Sequence, residues 1–230
     1  MLELSALEQE ALGLSLRVAV VSVLVSLPFG LMVAWVLARR EFFGKTLVNG
    51  LVHLPLVVPP VVVGYLLLLL LGREGPLGGF LYDVFGITVA FTWKGAAVAA
   101  GVMAFPLMVR AMRLSLELVD QRLEAAARTL GAGPFDVFVT VTLPLMSPGI
   151  LAGTILAFAR SLGEFGATIT FVANIPGETR TLPLALYSLV QTPGGEAGAL
   201  RLVLLSVLLA LVALGASEVL ARRLRRSYSA

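Results

Sequence analysis

Long apolar runs separated by short polar segments dominate the chain. A membrane-spanning helix needs about 20 mostly apolar residues, and five runs reach that length. A β-barrel would show alternating polarity over segments of about ten residues instead. The pattern therefore predicts an all-α membrane protein, a polytopic bundle of helices that span at about 13–38, 47–71, 87–109, 147–171 and 201–221.

Two shorter segments and one proline pair complete this pattern. Residues 181–192, TLPLALYSLVQT, are amphipathic and too short to span, so we expect a short external helix there, with a re-entrant or sixth spanning element as the alternative. Residues 1–11 are expected to form a separate interfacial helix. Pro59 and Pro60 lie inside the second run and predict a kink in that span.

The composition excludes several classes of protein. Charged residues make up 13% of the 230 residues, against roughly a quarter in soluble domains. The absence of cysteine excludes disulfides and thiol-based sites, and a single histidine makes a zinc or haem site unexpected. We find neither the paired carboxylates nor the histidine cluster of a membrane enzyme, and no basic and aromatic surface for nucleic acid. The chain is therefore expected to be an integral membrane protein without a metal.

The basic residues predict an orientation, because cytoplasmic loops carry an excess of Lys and Arg. A cytoplasmic C-terminus places eleven of them inside and five outside, with Arg160 within a span. The N-terminus is then outside and residues 110–146 are cytoplasmic. The eleven are Arg39, Arg40, Lys45, Arg110, Arg113, Arg122, Arg128, Arg222, Arg223, Arg225 and Arg226, and the five are Arg17, Arg73, Lys94, Arg180 and Arg201.

Residues 121–144, which we call the knob, interrupt the apolar pattern with EAAARTLGAGPFDVFVTVTLP. Glu124 and Arg128 have the spacing of a surface ion pair on a helix. Gly131 should end this helix, and a second short helix should begin near Phe135 and end at Pro144, before the chain re-enters the membrane at Pro148. One face of the first helix is formed by Leu123, Ala126, Ala127 and Leu130. On the second helix, Phe135, Phe138, Val139 and Thr142 are predicted to share the inner face.

Such a helix–turn–helix with an apolar face is typical of a docking element for a soluble partner, and an ordinary surface loop is the alternative. The stretch from Glu124 to Pro144 resembles the EAA loop of ATP-binding-cassette importer permeases, which in that family is the coupling helix seated on the ATPase subunit. The usual acid lies six residues before the glycine, where this chain has Ala125. The resemblance implies ATPase-coupling roles for Glu124, Ala125, Ala126, Arg128, Gly131, Phe135, Leu143 and Pro144.

Polar residues in the fourth run are candidates for a pore or gate. Arg160 and Glu164 lie one helical turn apart, and charges within a span are costly and by default suggest function. A self-neutralising pair that faces the bundle interior is the alternative. The hydroxyl groups of Ser161, Thr168 and Thr170 could line the same path or bond to their own backbone.

Residues 158–196 contain SLGEFGAT, NIPGETRT and QTPGG, and the second run contains LPLVVPPVVVGYLLLLLLG. These motifs resemble the permeases of molybdate importers over nearly the whole chain. The resemblance implies one transmembrane domain, a homodimer, two ATPase subunits inside, and an oxyanion-binding protein outside. Candidate contacts with that binding protein are Asn174, Glu178 and Arg180, unless these belong to a solvated loop.

The expected source of energy is another chain, with ATP and magnesium bound there and no cofactor here. The sequence Gly44-Lys45-Thr46 has Arg39 where a phosphate-binding loop needs its first glycine. The chain is therefore not expected to be an enzyme. Tungstate or sulfate are alternative substrates. A secondary transporter that needs no ATPase is the alternative class; it would rely on the span acids Glu164 and Glu218, and it leaves the knob unexplained.

Overall fold

The computed structural model describes residues 5–228, with side chains described for residues 5–216 and 219. The side chain of Glu218 and residues 1–4 of the predicted interfacial helix therefore lie outside the described part. All elements within 5–228 are helical: α1 Ala6–Arg39, α2 Lys45–Val57, α3 Pro60–Leu71, α4 Pro76–Phe85, α5 Trp93–Glu117, α6 Gln121–Thr129, α7 Pro134–Val137, a π-helical segment Phe138–Thr142, α8 Leu143–Leu162, α9 Gly166–Val172, α10 Leu182–Val190 and α11 Glu196–Tyr228.

The predicted bundle of apolar helices is confirmed. Within the described residues, four helices are long and apolar enough to cross a membrane: α1, α5, the continuous helix Pro134–Leu162, and α11 through Ala216. The pair of α2 and α3 provides the fifth apolar element and is bent by 116°. The bend lies at Val58 and Pro59, where the two prolines predict a kink. The 9 residues of α10 make it too short to span, as predicted.

The described residues of the predicted interfacial helix do not form a separate helix. Ala6 begins α1, which continues for 34 residues, or about 51 Å at 1.5 Å per residue. Ser5 and Glu8 form a capping box at its start, and Arg201 of α11 donates to Glu8 Oε1 at 3.0 Å. Because its carboxylate is satisfied in this way, Glu8 is buried and the polar first turns continue into the span.

Helix α5 lies at the centre of the bundle, packed against both α1 and α8. One reason is its row of small residues, which allows close approach of neighbouring helices. Gly95, Ala96, Ala99 and Ala100 of this row are buried, and Ser26 Oγ of α1 lies 3.0 Å from the Cβ position of Gly101. Gly149 and Gly153 of α8 face Ala111 and Ser115 of α5. The close approach of α8 to α5 within one chain thus explains why glycine occupies positions 149 and 153.

Three features of the fourth run differ from the sequence prediction. Pro144 does not end a helix, and Pro148 does not begin a new one, because Pro134–Leu162 is continuous. Leu143 N–H bonds to the Phe138 carbonyl in the π-helical segment, and this wider turn precedes the proline without ending the helix. The same run breaks at residues 163–165, between α8 and α9.

Helix α4, with Pro76 at its first position and Gly86 after its end, is an element that the apolar pattern misses.

Candidate functional site

The knob has the two short helices that its turn residues predict. The Asp120 carboxylate accepts the Arg122 N–H at 2.9 Å and caps α6. Gly131 follows this helix with a φ of +91°, a conformation that glycine adopts far more readily than other residues. Pro134 then begins α7, whose Asp136 carboxylate accepts the Gly133 N–H at 3.3 Å. The capping and turn residues within the knob therefore determine where its two short helices begin and end.

The knob exposes large apolar side chains. Leu123, Leu130 and Phe135 are 50%, 89% and 76% exposed, and Ala126 is also exposed. The prediction that Phe135 and Val139 face inward is wrong, since both point outward, whereas Thr142 is buried as predicted. We call Leu123, Leu130 and Phe135 the apolar patch. Exposed apolar patches of this kind mark interaction sites.

Glu124 fastens the knob to the membrane-spanning helices. Its Oε1 atom accepts from Arg39 Nη2 of α1 at 2.8 Å and from Thr142 Oγ1 of the π-helical segment at 2.9 Å. Both charged side chains are largely buried. The predicted surface pair with Arg128 is therefore wrong, because the buried guanidinium of Arg39 needs a counter-charge. This contact joins α6 to α1 and to the helix that continues into α8.

The other predicted coupling residues are divided between two surfaces. Ala125 and Arg128 line a groove between α6 and α1. Leu143 and Pro144 lie in the first turn of α8, where Leu143 is half-buried and Pro144 exposed. Neither belongs to the apolar patch.

Arg160 and Glu164 form an ion pair at the break after α8. Arg160 Nη1 and Glu164 Oε2 are 2.6 Å apart, and Glu164 Oε1 accepts the Ala167 N–H at 2.8 Å. The side chain of Glu164 is 2% exposed and that of Arg160 is 29% exposed. The carboxylate thus neutralises the arginine and satisfies a backbone donor at the start of α9. The arginine keeps an accessible edge.

The predicted hydroxyl groups have different surroundings. Ser161 is buried and accepts a hydrogen bond from Ser22 Oγ of α1 at 3.0 Å. Thr170 Oγ1 donates to its own helix, at the Gly166 carbonyl 2.9 Å away, and Thr168 is buried. The structure therefore brings these groups near the ion pair without gathering them around one point.

The loop after α9 is folded by the residues that the sequence marks as external contacts. Arg180 Nε donates to Asn174 Oδ1 at 3.0 Å, and Asn174 Nδ2 donates to Ser188 Oγ at 2.7 Å. Glu178 Oε1 accepts the Trp93 N–H at 3.2 Å. The exposed tip of this loop is residues 175–177. Among the side chains that the structure describes, no group of three His, Cys, Asp or Glu residues is placed to hold a metal ion.

Comparison with known proteins decides the family. Residues 26–226 match the family model described as "Binding-protein-dependent transport system inner membrane component". The chain belongs to this family. It is 65% identical over 94% of both chains to the molybdenum transport system permease protein ModB of Escherichia coli K12. It is 58% identical over 96% of both chains to the protein of that name from Haemophilus influenzae.

A relative named for sulfate transport and two solved structures extend the comparison. The sulfate transport system permease protein CysW of Synechococcus elongatus is 41% identical over 76% of this chain and 61% of its own. A bacterial alginate ABC transporter matches with a TM-score of 0.74 at 18% identity, over 95% of this chain and 80% of that one. The MetNI methionine ABC transporter matches with a TM-score of 0.64 at 16% identity, over 94% and 93%. These structures support the fold.

For this family member, sequence reasoning missed the partners that hold the candidate residues in place. Arg39 and Thr142 fix Glu124, Ser22 holds Ser161, and the Trp93 backbone holds Glu178. Most of these partners are distant in the chain, so no local spacing could have indicated them. The one signal that the sequence offered for Arg39 is its place, a basic residue at the end of the first apolar run.

Proposed function

We propose that the chain is the transmembrane permease subunit of an ATP-driven molybdate importer, where it forms the translocation pathway and couples it to a separate ATPase subunit. The observation that carries this proposal is the apolar patch, exposed on a knob that is fastened to two spans by Glu124. The substrate is inferred from the 65% identical relative, which is named a molybdenum transport permease. The sulfate permease is less similar, at 41%, and tungstate is the alternative oxyanion.

The assembly that follows is a homodimer with two ATP-binding-cassette subunits on the cytoplasmic side and an oxyanion-binding protein outside. ATP and magnesium belong to the ATPase, the N-terminus is outside, and the C-terminus is cytoplasmic. In this arrangement the apolar patch seats on the ATPase. The continuous helix Pro134–Leu162 and the Arg39–Glu124 contact would carry its displacement to α8 and α1 as a rigid-body motion.

The permeation path is proposed to pass the accessible edge of Arg160. A dianion needs donors and a modest positive potential without tight binding, because it must leave again. Glu164 restrains the arginine, while Ser161, Thr168 and Thr170 lie on the neighbouring turns. At the outer end, Asn174, Glu178 and Arg180 shape the loop whose tip would meet the binding protein.

Leu130→Asp is expected to abolish the stimulation of ATP hydrolysis by molybdate-loaded binding protein. Leu130 is 89% exposed, so the substitution leaves the fold intact, but it places a charge where an apolar contact with the ATPase is proposed. The measurement is ATPase activity of the reconstituted complex, with and without loaded binding protein. Loading the binding protein with tungstate or sulfate instead compares the alternative substrates.

Thr46→Asp is the matched control, because it adds the same charge at an exposed position on the same side, away from the knob. It is expected to retain full stimulation. Molybdate transport by the chain without an ATPase, unaffected by Leu130→Asp, would contradict the proposal and favour the secondary transporter. Normal coupling in Leu130→Asp would exclude the apolar patch as the ATPase contact.

Glu124→Ala is expected to separate ATP hydrolysis from transport. The variant removes the acceptor of Arg39 and Thr142 but leaves the apolar patch in place, so the ATPase should still bind while α6 loses its fixed position. We expect at least about tenfold less molybdate transported per ATP hydrolysed, which is what the roughly 1.5–3 kcal/mol of a charge-assisted hydrogen bond corresponds to. An unchanged ratio would show that the contact has no part in coupling.

A further inference from the structure

A groove of 1150 Å³ lies between the C-terminal half of α1 and the knob. Its two halves differ in chemistry. The half along α1 and α7 is apolar, and the half beside α6 carries guanidinium groups. The apolar lining includes Pro28, Leu31, Met32, Trp35, Val137 and Phe138.

The charged half has a surplus of positive charge. Arg39, Arg40, Arg122 and Arg128 line it together with one acid, Glu124, whose Oε1 is already occupied by Arg39 and Thr142. Among the described ion pairs, none engages Arg40, Arg122 or Arg128, and all three are exposed. The Nε atom of Arg39 is buried without a hydrogen-bond partner. The groove thus offers unused donors to an anion.

We propose that this groove binds an anionic phospholipid, with the headgroup phosphate at the arginines and an acyl chain along α1. Basic pockets between helices on the cytoplasmic side of a membrane recognise anionic headgroups, and α1 belongs to a span, which puts its apolar lining at acyl-chain depth. Trp35 lies at the junction of the two halves with the Arg40 guanidinium 5.3 Å from its ring, the position that interfacial tryptophans occupy.

Other occupants fit the groove less well. A free tetrahedral oxyanion would leave the apolar half and most of the 1150 Å³ unfilled. The apolar patch proposed for the ATPase lies on another face of the knob, since Leu123, Leu130 and Phe135 do not line the groove. A lipid here would hold α6 against α1 beside the ATPase. The inference goes beyond the proposed function and does not depend on which oxyanion is carried.

Trp35 provides the probe. The chain has 2 tryptophans, so in a Trp93→Phe background the fluorescence of the full-length chain comes from Trp35. The chain is reconstituted in phosphatidylcholine–phosphatidylglycerol vesicles of fixed composition, with bromine on the acyl chains of one lipid or the other at equal bromine content. We expect brominated phosphatidylglycerol to quench the fluorescence of Trp35 more strongly than brominated phosphatidylcholine does. The expected difference corresponds to a preference of roughly fivefold for the anionic lipid.

The double variant Arg122→Gln/Arg128→Gln is expected to lower this preference towards one, so that quenching by brominated phosphatidylglycerol falls and quenching by brominated phosphatidylcholine rises. Arg110→Gln is the matched control, because Arg110 is exposed and does not line the groove; it should retain the preference. Equal quenching by the two brominated lipids overturns the proposal. A second copy of the chain that covered the groove would give this result, because it would exclude both lipids alike. Relief of the quenching by added molybdate or inorganic phosphate, or by the ATPase, overturns it in favour of that occupant.

Discussion

Glu164→Ala is expected to destabilise the folded permease by about 3 kcal/mol, at the lower end for breaking a buried ion pair because Arg160 is partly exposed. The variant leaves a guanidinium without a counter-charge and removes the acceptor of the Ala167 N–H, 2.8 Å away. The expected result is a large loss of monodisperse protein and a lower unfolding midpoint. Thermal unfolding followed by size-exclusion chromatography in detergent measures both.

The double variant Arg160→Gln/Glu164→Gln separates the two interpretations of this pair. It removes both charges and keeps an acceptor for Ala167, so the unfolding midpoint is expected to recover. If Arg160 contacts the permeating anion, transport stays low by at least about tenfold, the worth of one charge-assisted hydrogen bond. Recovery of transport together with stability would show that the pair only neutralises itself within the bundle.

Gly149→Ala is expected to cost about 2 kcal/mol of stability, because overpacked cores lose roughly 1–3 kcal/mol. A Cβ atom at this position would overlap the Ser115 Cβ of α5 and lie 2.9 Å from the Ala111 carbonyl oxygen. Since α5 and α8 form the central contact of the bundle, their separation would loosen the cluster of buried residues that they share, which includes Met108, Met112 and Met146. The unfolding midpoint of the purified chain measures the effect.

A graded series of alanine substitutions provides the controls. Gly153→Ala should cost less, since its nearest contact is the Met108 carbonyl at 2.9 Å without a side-chain overlap. Gly13→Ala should be neutral or slightly stabilising, because nothing lies within 4 Å and alanine favours helix. Adding Ser115→Gly to Gly149→Ala should restore part of the loss. A midpoint for Gly149→Ala equal to that of Gly13→Ala would disprove the close packing.

Sequence patterns predicted the parts of this fold that depend on local chemistry. Apolar runs located the spanning helices, the proline pair located the bend before α3, and Gly131 with Pro134 located the turn of the knob. Each of these signals lies within the element that it predicts. The short α10 was predictable for the same reason, because its length excludes a span.

The errors arise where a distant partner or an unusual helical turn decides the outcome. The spacing of Glu124 and Arg128 indicated a local pair, yet Arg39, 85 residues away, is buried and takes the carboxylate. Pro144 indicated a helix end, but the π-helical segment accommodates it. The predicted apolar run 147–171 extends across residues 163–165 although Glu164 interrupts it; in the structure the Glu164 carboxylate accepts the Ala167 N–H at this break, at the start of α9.

The polar contacts of α1 have a consequence for biosynthesis. This helix is synthesised before the other described helices, yet Ser22 bonds to Ser161, Ser15 accepts the Leu182 N–H, and Glu8 binds Arg201, at separations of 139, 167 and 193 residues. At bacterial translation rates the nascent helix therefore waits roughly ten to forty seconds for its last partner. A message truncated before α11 yields a product whose first helix keeps an uncompensated acid, and we expect membrane proteases to remove it. The buried carboxylate of Glu8 in α1 therefore gains its counter-charge only after α11 has been synthesised.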